Sequence, residues 1–200
     1  KYYGYSGNRV KGLVFCSSKQ EAKALSDEFN KRGFKTTSLT GEDSQERRER
    51  EVERLVADSG DVLDYIFTVD IFNEGVDIPE VNQVVMLRPT QSAIVFIQQL
   101  GRGLRKSKDK DFVVIIDFIA NYKNNFLIPV ALSGDNSYDK DTVRKFLSQG
   151  TRYLPGTSTI HFDEISKQRI YSAIDNVKLN TWIFVATEYS KLKNKLGRIP

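Results

Sequence analysis

Sulfur and imidazole are almost missing from this 200-residue sequence, which holds one cysteine, one methionine and one histidine. A lone Cys16 has no partner for an internal disulfide, which favours a reducing, cytoplasmic setting. No His/Cys cluster has metal-ligand spacing, so no protein metal site is expected. No apolar run approaches the roughly 20 residues that span a bilayer, and no secretory n-region and h-region opens the chain. Net charge is small as well: 30 Lys and Arg against 26 Asp and Glu leave +4, which permits a polyanionic partner without demanding one. Internal repeats and low-complexity tracts are absent. A G-x-G-x-x-G turn after the first strand is absent too, and the serines of "FCSSKQEA" in its place weigh against a Rossmann-type nucleotide enzyme.

What is present fits an ordinary soluble chain, 40% hydrophobic and 28% charged, with room for one good core or two small domains. Starting at Lys1 without Met and stopping at "LGRIP", it is expected to be a piece of a longer protein. Its first two-thirds alternates apolar runs with amphipathic patterns. "GLVFC", "FKTTSL", "LDYIFT", "NQVVML" and "DFVVIID" read as strands. "SSKQEAKALSDEFNKRG" reads as a helix with capping-box serines, an apolar face of Ala22, Leu25 and Phe29, and a stop at Gly33. "QERREREVERLVA" reads as a second helix, with Val52, Leu55 and Val56 in helical spacing and most of its charges, Arg48 excepted, on a solvated face. "TQSAIVFIQQL" reads as a short helix. This alternation argues for an α/β fold with a parallel sheet and helices on both faces. Ligands then sit in the loops at the carboxyl ends of the strands. Past "SGDNSYDKD" the pattern changes to short helices, so a boundary is expected near Asp135: one lobe over 1–134, a mostly helical segment over 135–200.

Two loops carry candidate chemistry. "TVDIFNEGVDIP" packs Asp70, Asp77, Gly75 and Pro79 into one connection after Thr68, where glycine permits close backbone approach and proline fixes φ. "QQLGRGLRK" sets Arg102 and Arg105 three apart behind a glycine, after Gln98. These two loops resemble motifs V and VI of superfamily 2 DEAD/DEAH-like helicases. "FCSS" (Phe15–Ser18) resembles motif IV, and "TGEDSQERRE", with Gln45 and Arg48 in Q-x-x-R spacing, resembles motif IVa. The four matches fall in the family's order, across about Gly12 to Asp117.

The resemblance implies the C-terminal RecA-like lobe of an ATP-dependent helicase or translocase, a three-layer sheet that closes over ATP and Mg²⁺ bound mainly by a separate N-terminal lobe. It implies that Arg102 and Arg105 are arginine fingers, that Gln98 orders the nucleotide, and that Gly75 and Asp77 reach its ribose. It implies backbone contacts to a nucleic-acid strand from Ser17, Gly41, Arg48 and Thr68. A guanidinium is always charged and presents a rigid donor fork to phosphate oxygens. Phosphoryl transfer gains mostly from such positioning and charge stabilisation. Neither a G-x-x-x-x-G-K-[ST] loop nor a D-E-x-H strand end occurs, so this chain alone is expected not to hydrolyse ATP. Gln99, where many RNA-helicase relatives carry arginine, points to the restriction-enzyme-type branch and to DNA rather than RNA. A non-hydrolysing nucleic-acid-binding or interaction module with a degenerate lobe remains the alternative.

Other residues have plainer readings. Cys16 is expected to be a small core residue, and His161 an ordinary histidine in a "STIHF" strand. The lysines of "RKSKDKD" are either a solvated connection or extra phosphate contacts. Tyr2, Tyr3 and Tyr5 either stack on a base or belong to a frayed end. Trp182, Phe184 and Tyr189 are expected to pack.

Overall fold

The computed structural model describes residues 4–69, 71, 78–88, 107–108, 110–118, 129, 132, 139–149 and 161–176. The chain divides into two compact units, Lys1–Tyr122 and Lys123–Pro200.

The first unit is built on five parallel strands: β1 (Gly12–Phe15), β2 (Thr36–Leu39), β3 (Tyr65–Thr68), β4 (Gln83–Met86) and β5 (Val114–Asp117), ordered β2-β3-β1-β4-β5. The central strands are buried apolar runs, as a parallel sheet covered on both faces requires. Leu13, Val14, Phe15, Ile66, Phe67, Val84 and Met86 are all nearly inaccessible. Helix α1 (Lys19–Lys31) joins β1 to β2, and α2 (Gln45–Val56) joins β2 to β3. The first crossover passes over β3 and the second returns in the opposite direction. Right-handed connections therefore put the two helices on opposite faces. Ala22, Leu25 and Phe29 of α1 pack with Val14, Cys16 and Phe67 on one face.

Local sequence sets the limits of α1. Ser18 is the N-cap, its Oγ accepting from the Glu21 N–H at 3.1 Å. The reciprocal bond of the capping box is displaced by one residue, because Glu21 Oε2 accepts from Ser17 N–H at 2.6 Å. At the other end Gly33 adopts φ +90°, Gly33 N–H donates to Asn30 O and Phe34 N–H to Phe29 O. This is a Schellman closure with its apolar clasp, the Phe29 and Phe34 rings lying 5.3 Å apart.

Glu51, expected on the solvated face of α2, is 4% exposed. Its carboxylate is held by Arg54 at 2.5 Å and Arg50 at 3.2 Å, while Arg54 also grips Asp61 at 2.8 Å. A buried carboxylate persists because it is paired in this way. Arg9 and Lys11 close the far end of α2: Arg9 donates to the carbonyls of Leu55, Ala57 and Leu63, and Lys11 Nζ to Val56 O at 2.7 Å. Both cations sit on carbonyls the helix cannot satisfy itself, at the negative end of its dipole.

The amino edge of the sheet is stitched shut. Asn82 uses its whole side-chain amide, donating to Ser6 O and Arg9 O and accepting from Lys11 N–H at 2.8 Å. Lys110 is half-buried and its ammonium is committed to backbone: Nζ donates to Val81 O at 2.9 Å and to Pro79 O, and burial lowers its pKa. Across β1, Tyr65 lies directly over Gly12 and its hydroxyl donates to Gln83 Oε1 at 2.8 Å. Gln83 Nε2 in turn donates to Gly4 O at 3.0 Å.

In the second unit, α3 (Lys140–Gln149) buries Val143, Phe146 and Leu147, and α4 (Glu164–Asn176) buries Ile170 and Ile174. Arg144 of α3 pairs with Asp175 of α4 at 2.5 Å. His161 and Phe162 lie outside any strand, which removes the described end of the expected "STIHF" strand; Asp163, next along, begins the cap of α4. Both helices open on an aspartate cap. Asp139 Oδ2 accepts from Thr142 N–H, and Asp163 Oδ1 from Ser166 N–H, each at 2.9 Å.

These caps predict an acid response. Asp139 is held below the usual carboxylate range by the Thr142 backbone and hydroxyl bonds, and Asp163 by the Ser166 hydroxyl and backbone bonds. A depressed folded pKa means that the caps stabilise fully above the unfolded value of about 3.9 and lose that contribution as pH falls through the folded value. Urea melts of wild type and an Asp139→Ala/Asp163→Ala variant should therefore differ at pH 7 and converge in strong acid. A gap independent of pH contradicts the capping assignment.

Candidate functional site

Strand register gathers the carboxyl ends into one edge. Phe15 pairs with Thr68 and with Met86, Thr68 with Leu39, and Met86 with Asp117. The loops after β1 and β2 therefore flank the end of β3, bringing Ser17, Gly41 and Thr68 to three neighbouring strand ends. Ser17 and Gly41 are exposed, Arg48 is half-buried and Thr68 is fully buried.

The loop after β2 is rigid by construction. Thr40 N–H donates to Asp43 Oδ2 at 2.7 Å, and Asp43 N–H returns to Thr40 O at 3.2 Å. Asp43 also pairs with Arg47 in the first turn of α2. Arg48 reaches back from the same helix, its Nη2 donating to Gly41 O at 2.8 Å. Its Nε is buried without a partner. Arg48 thus braces the loop with one nitrogen and keeps another unused. A Cβ built on Gly41 meets nothing within 4 Å, so no neighbour within the described residues requires glycine there. The missing side chain leaves the backbone open to close approach from outside.

Thr68 carries another unsatisfied atom. Its Oγ1 is buried without a hydrogen-bond partner, which costs roughly 1–3 kcal/mol in a structural hydroxyl. Being fully buried, it meets a ligand only when the chain covering it moves. Cys16, next to this edge, is inert: burial, aided by Glu21, pushes its thiol up to about 12, so it is a core residue and no nucleophile.

Arg102, Arg105, Gln98, Gly75 and Asp77 lie outside the described residues, as do Asp70, Gln99 and the "TQSAIVFIQQL" segment. Among the described residues no three His, Cys, Asp or Glu side chains are grouped to hold a metal ion, and no helix is long and apolar enough to cross a membrane. Sequence reading missed the Asp43 and Arg47 bracing of the Gly41 loop; an aspartate three residues after Thr40 is the turn signal that could have found it.

Comparison with known proteins shows the family and the fold. The family model described as helicase conserved C-terminal domain matches residues 4–107, just over half of the chain. The provisionally named ATP-dependent helicase IRC3 of Saccharomyces cerevisiae is 34% identical over 107 residues, 54% of this chain and 15% of that protein. The ATP-dependent RNA helicase SrmB of Haemophilus influenzae is 26% identical over 108 residues, 54% of this chain and 24% of that protein. The chain thus spans no more than about a quarter of these relatives' length. Among solved structures, the yeast DEAD-box splicing factor Prp28 superposes with a TM-score of 0.57 over 90% of this chain and 34% of its own, at 22% identity, and so shares the fold. The chain belongs to the helicase conserved C-terminal domain family, and its parallel sheet is the C-terminal RecA-like lobe of a superfamily 2 helicase.

Proposed function

We propose that this lobe works as the closing half of an ATP-dependent helicase or translocase, using its carboxyl edge to hold a nucleic-acid backbone and its motif VI arginines to complete a nucleotide site. The observation that carries the reading is the meeting of Ser17, Gly41 and Thr68 at adjacent strand ends, beside a helix whose Arg48 keeps an unpartnered Nε. Backbone recognition needs donors and an unobstructed main chain rather than base-reading side chains. This edge offers a hydroxyl, an open glycine and a guanidinium. The amino edge, by contrast, has its groups committed to internal bonds through Asn82, Arg9 and Lys110.

The assignments of Arg102 and Arg105 as fingers, of Gln98 as a nucleotide-ordering group, and of Gly75 and Asp77 as ribose contacts rest on the resemblance of their loops to motifs V and VI. The same resemblance implies a phosphate cradle and Mg²⁺ ligands on a separate lobe, and no P-loop occurs in this sequence. The purified chain is accordingly expected to release no phosphate from ATP above background, with or without an oligonucleotide. Sustained turnover by this chain alone would remove the two-lobe reading.

Between DNA and RNA the comparisons lend no weight to the expectation of DNA drawn from Gln99, because relatives of similar identity are named RNA helicases. The interface is therefore proposed for a nucleic-acid strand as such, bound chiefly through phosphates and weakened by salt.

A further inference from the structure

We propose that Lys19 is a further phosphate-contact residue of this edge, held in the free lobe by Glu42, which serves as an internal substitute for the strand's phosphate. The inference rests on the nucleic-acid reading above and adds a residue and a control to it. Lys19 opens α1 directly after Ser17 and Ser18, and Glu42 follows Gly41 in the loop after β2. The two strands these loops leave are not neighbours; β3 lies between them. The Lys19 Nζ–Glu42 Oε1 ion pair therefore joins the two loops that flank the end of β3, where Thr68 carries its unpartnered hydroxyl.

Several observations make this pair a competitor and not a fixed brace. Its side chains are 53% and 77% exposed, and exposed pairs of this kind contribute little net stability. The loops do not need it, since the loop after β2 is held by Asp43 and Arg48, and α1 by its own cap. A carboxylate oxygen on a lysine ammonium also has the charge and donor demand of a phosphate oxygen. An arriving strand replaces one anion on Lys19 with another and releases Glu42 to solvent. Glu42 thus lowers affinity in proportion to its hold on Lys19.

The test is oligonucleotide binding, followed by fluorescence anisotropy over a salt series, with Lys19→Gln, Glu42→Gln and the double variant in the intact protein that contains this chain. Lys19→Gln should weaken binding several-fold and reduce the slope of log K against log salt by about 0.7 for a single strand. Glu42→Gln should tighten binding about threefold or more. In the Lys19→Gln background Glu42→Gln should have almost no effect, because Glu42 acts through Lys19. A Glu42 effect of equal size in both backgrounds, or an unchanged salt slope in Lys19→Gln, overturns the proposal. Gly41→Trp separates this outcome from failure of the underlying reading. If it weakens binding while the Lys19 and Glu42 variants do not, only the present inference falls. If it too has no effect, the interface itself is misplaced.

Discussion

Replacing Arg102 and Arg105 together by alanine should lower ATP turnover of the intact protein by about 10³–10⁵, the range an arginine finger supplies, or roughly 4–7 kcal/mol of barrier. Such a group acts only on charge that develops during transfer, so ATP binding should weaken far less than turnover falls. The finger assignment also predicts unchanged thermal unfolding of the lobe, because a group that acts on the nucleotide alone contributes little to stability. Lysine at both positions should rescue poorly, since an ammonium lacks the planar fork. Turnover within a few-fold of wild type would refute the finger assignment. A turnover loss accompanied by unfolding would instead place these arginines in the structure of the lobe.

The second large effect is on stability, at Gly12. An alanine Cβ there would stand 2.2 Å from Tyr65 Cδ1 and 2.4 Å from Cε1, separations no packing tolerates, so the ring must leave β1. Overpacking of this kind costs about 1–3 kcal/mol. Moving Tyr65 also breaks its bond to Gln83, and with it the link through Gln83 to Gly4. The ring further meets Phe29 and Phe34 edge-on, at centroid distances of 5.7 and 5.9 Å, so its displacement disturbs the closure of α1. Gly12→Ala is expected to destabilise by about 3 kcal/mol. The cost should be strongly non-additive with Tyr65→Ala, because the smaller side chain removes the clash. Denaturant melts of the two single variants and the double variant measure this. Additive losses would show that the ring and the glycine are not coupled.

Gly12 also shows what the sequence could and could not reveal. The five strands were legible because each is a short run of β-branched or aromatic residues between turn signals. The stop at Gly33 was legible because its cause is local. The reason for Gly12 was not, since it depends on a register that sets Tyr65 and Gln83 beside it from strands far along the chain. Arg9 was illegible for a related reason: its partners are backbone carbonyls 46 to 54 residues away, and a carbonyl has no sequence signature. Glu51 was misassigned because a carboxylate among alternating acids and bases reads as solvated, although it stands one turn before the buried Leu55. For the site, the motif order located the strand ends and the exposed Ser17 and Gly41. It did not show that Arg48 spends part of its guanidinium on the loop, nor that Thr68 is sealed.

That difference between the two edges is the claim most open to direct measurement. Backbone amide NMR of this chain, titrated with a short single-stranded oligonucleotide at low salt, reports every contact on one map. The account predicts shifts at Ser17, Lys19, Gly41 and Thr68, fading as salt rises, and still resonances at Arg9, Asn82 and Lys110. Shifts centred on Arg9, Asn82 and Lys110, with the strand ends unmoved, would contradict it.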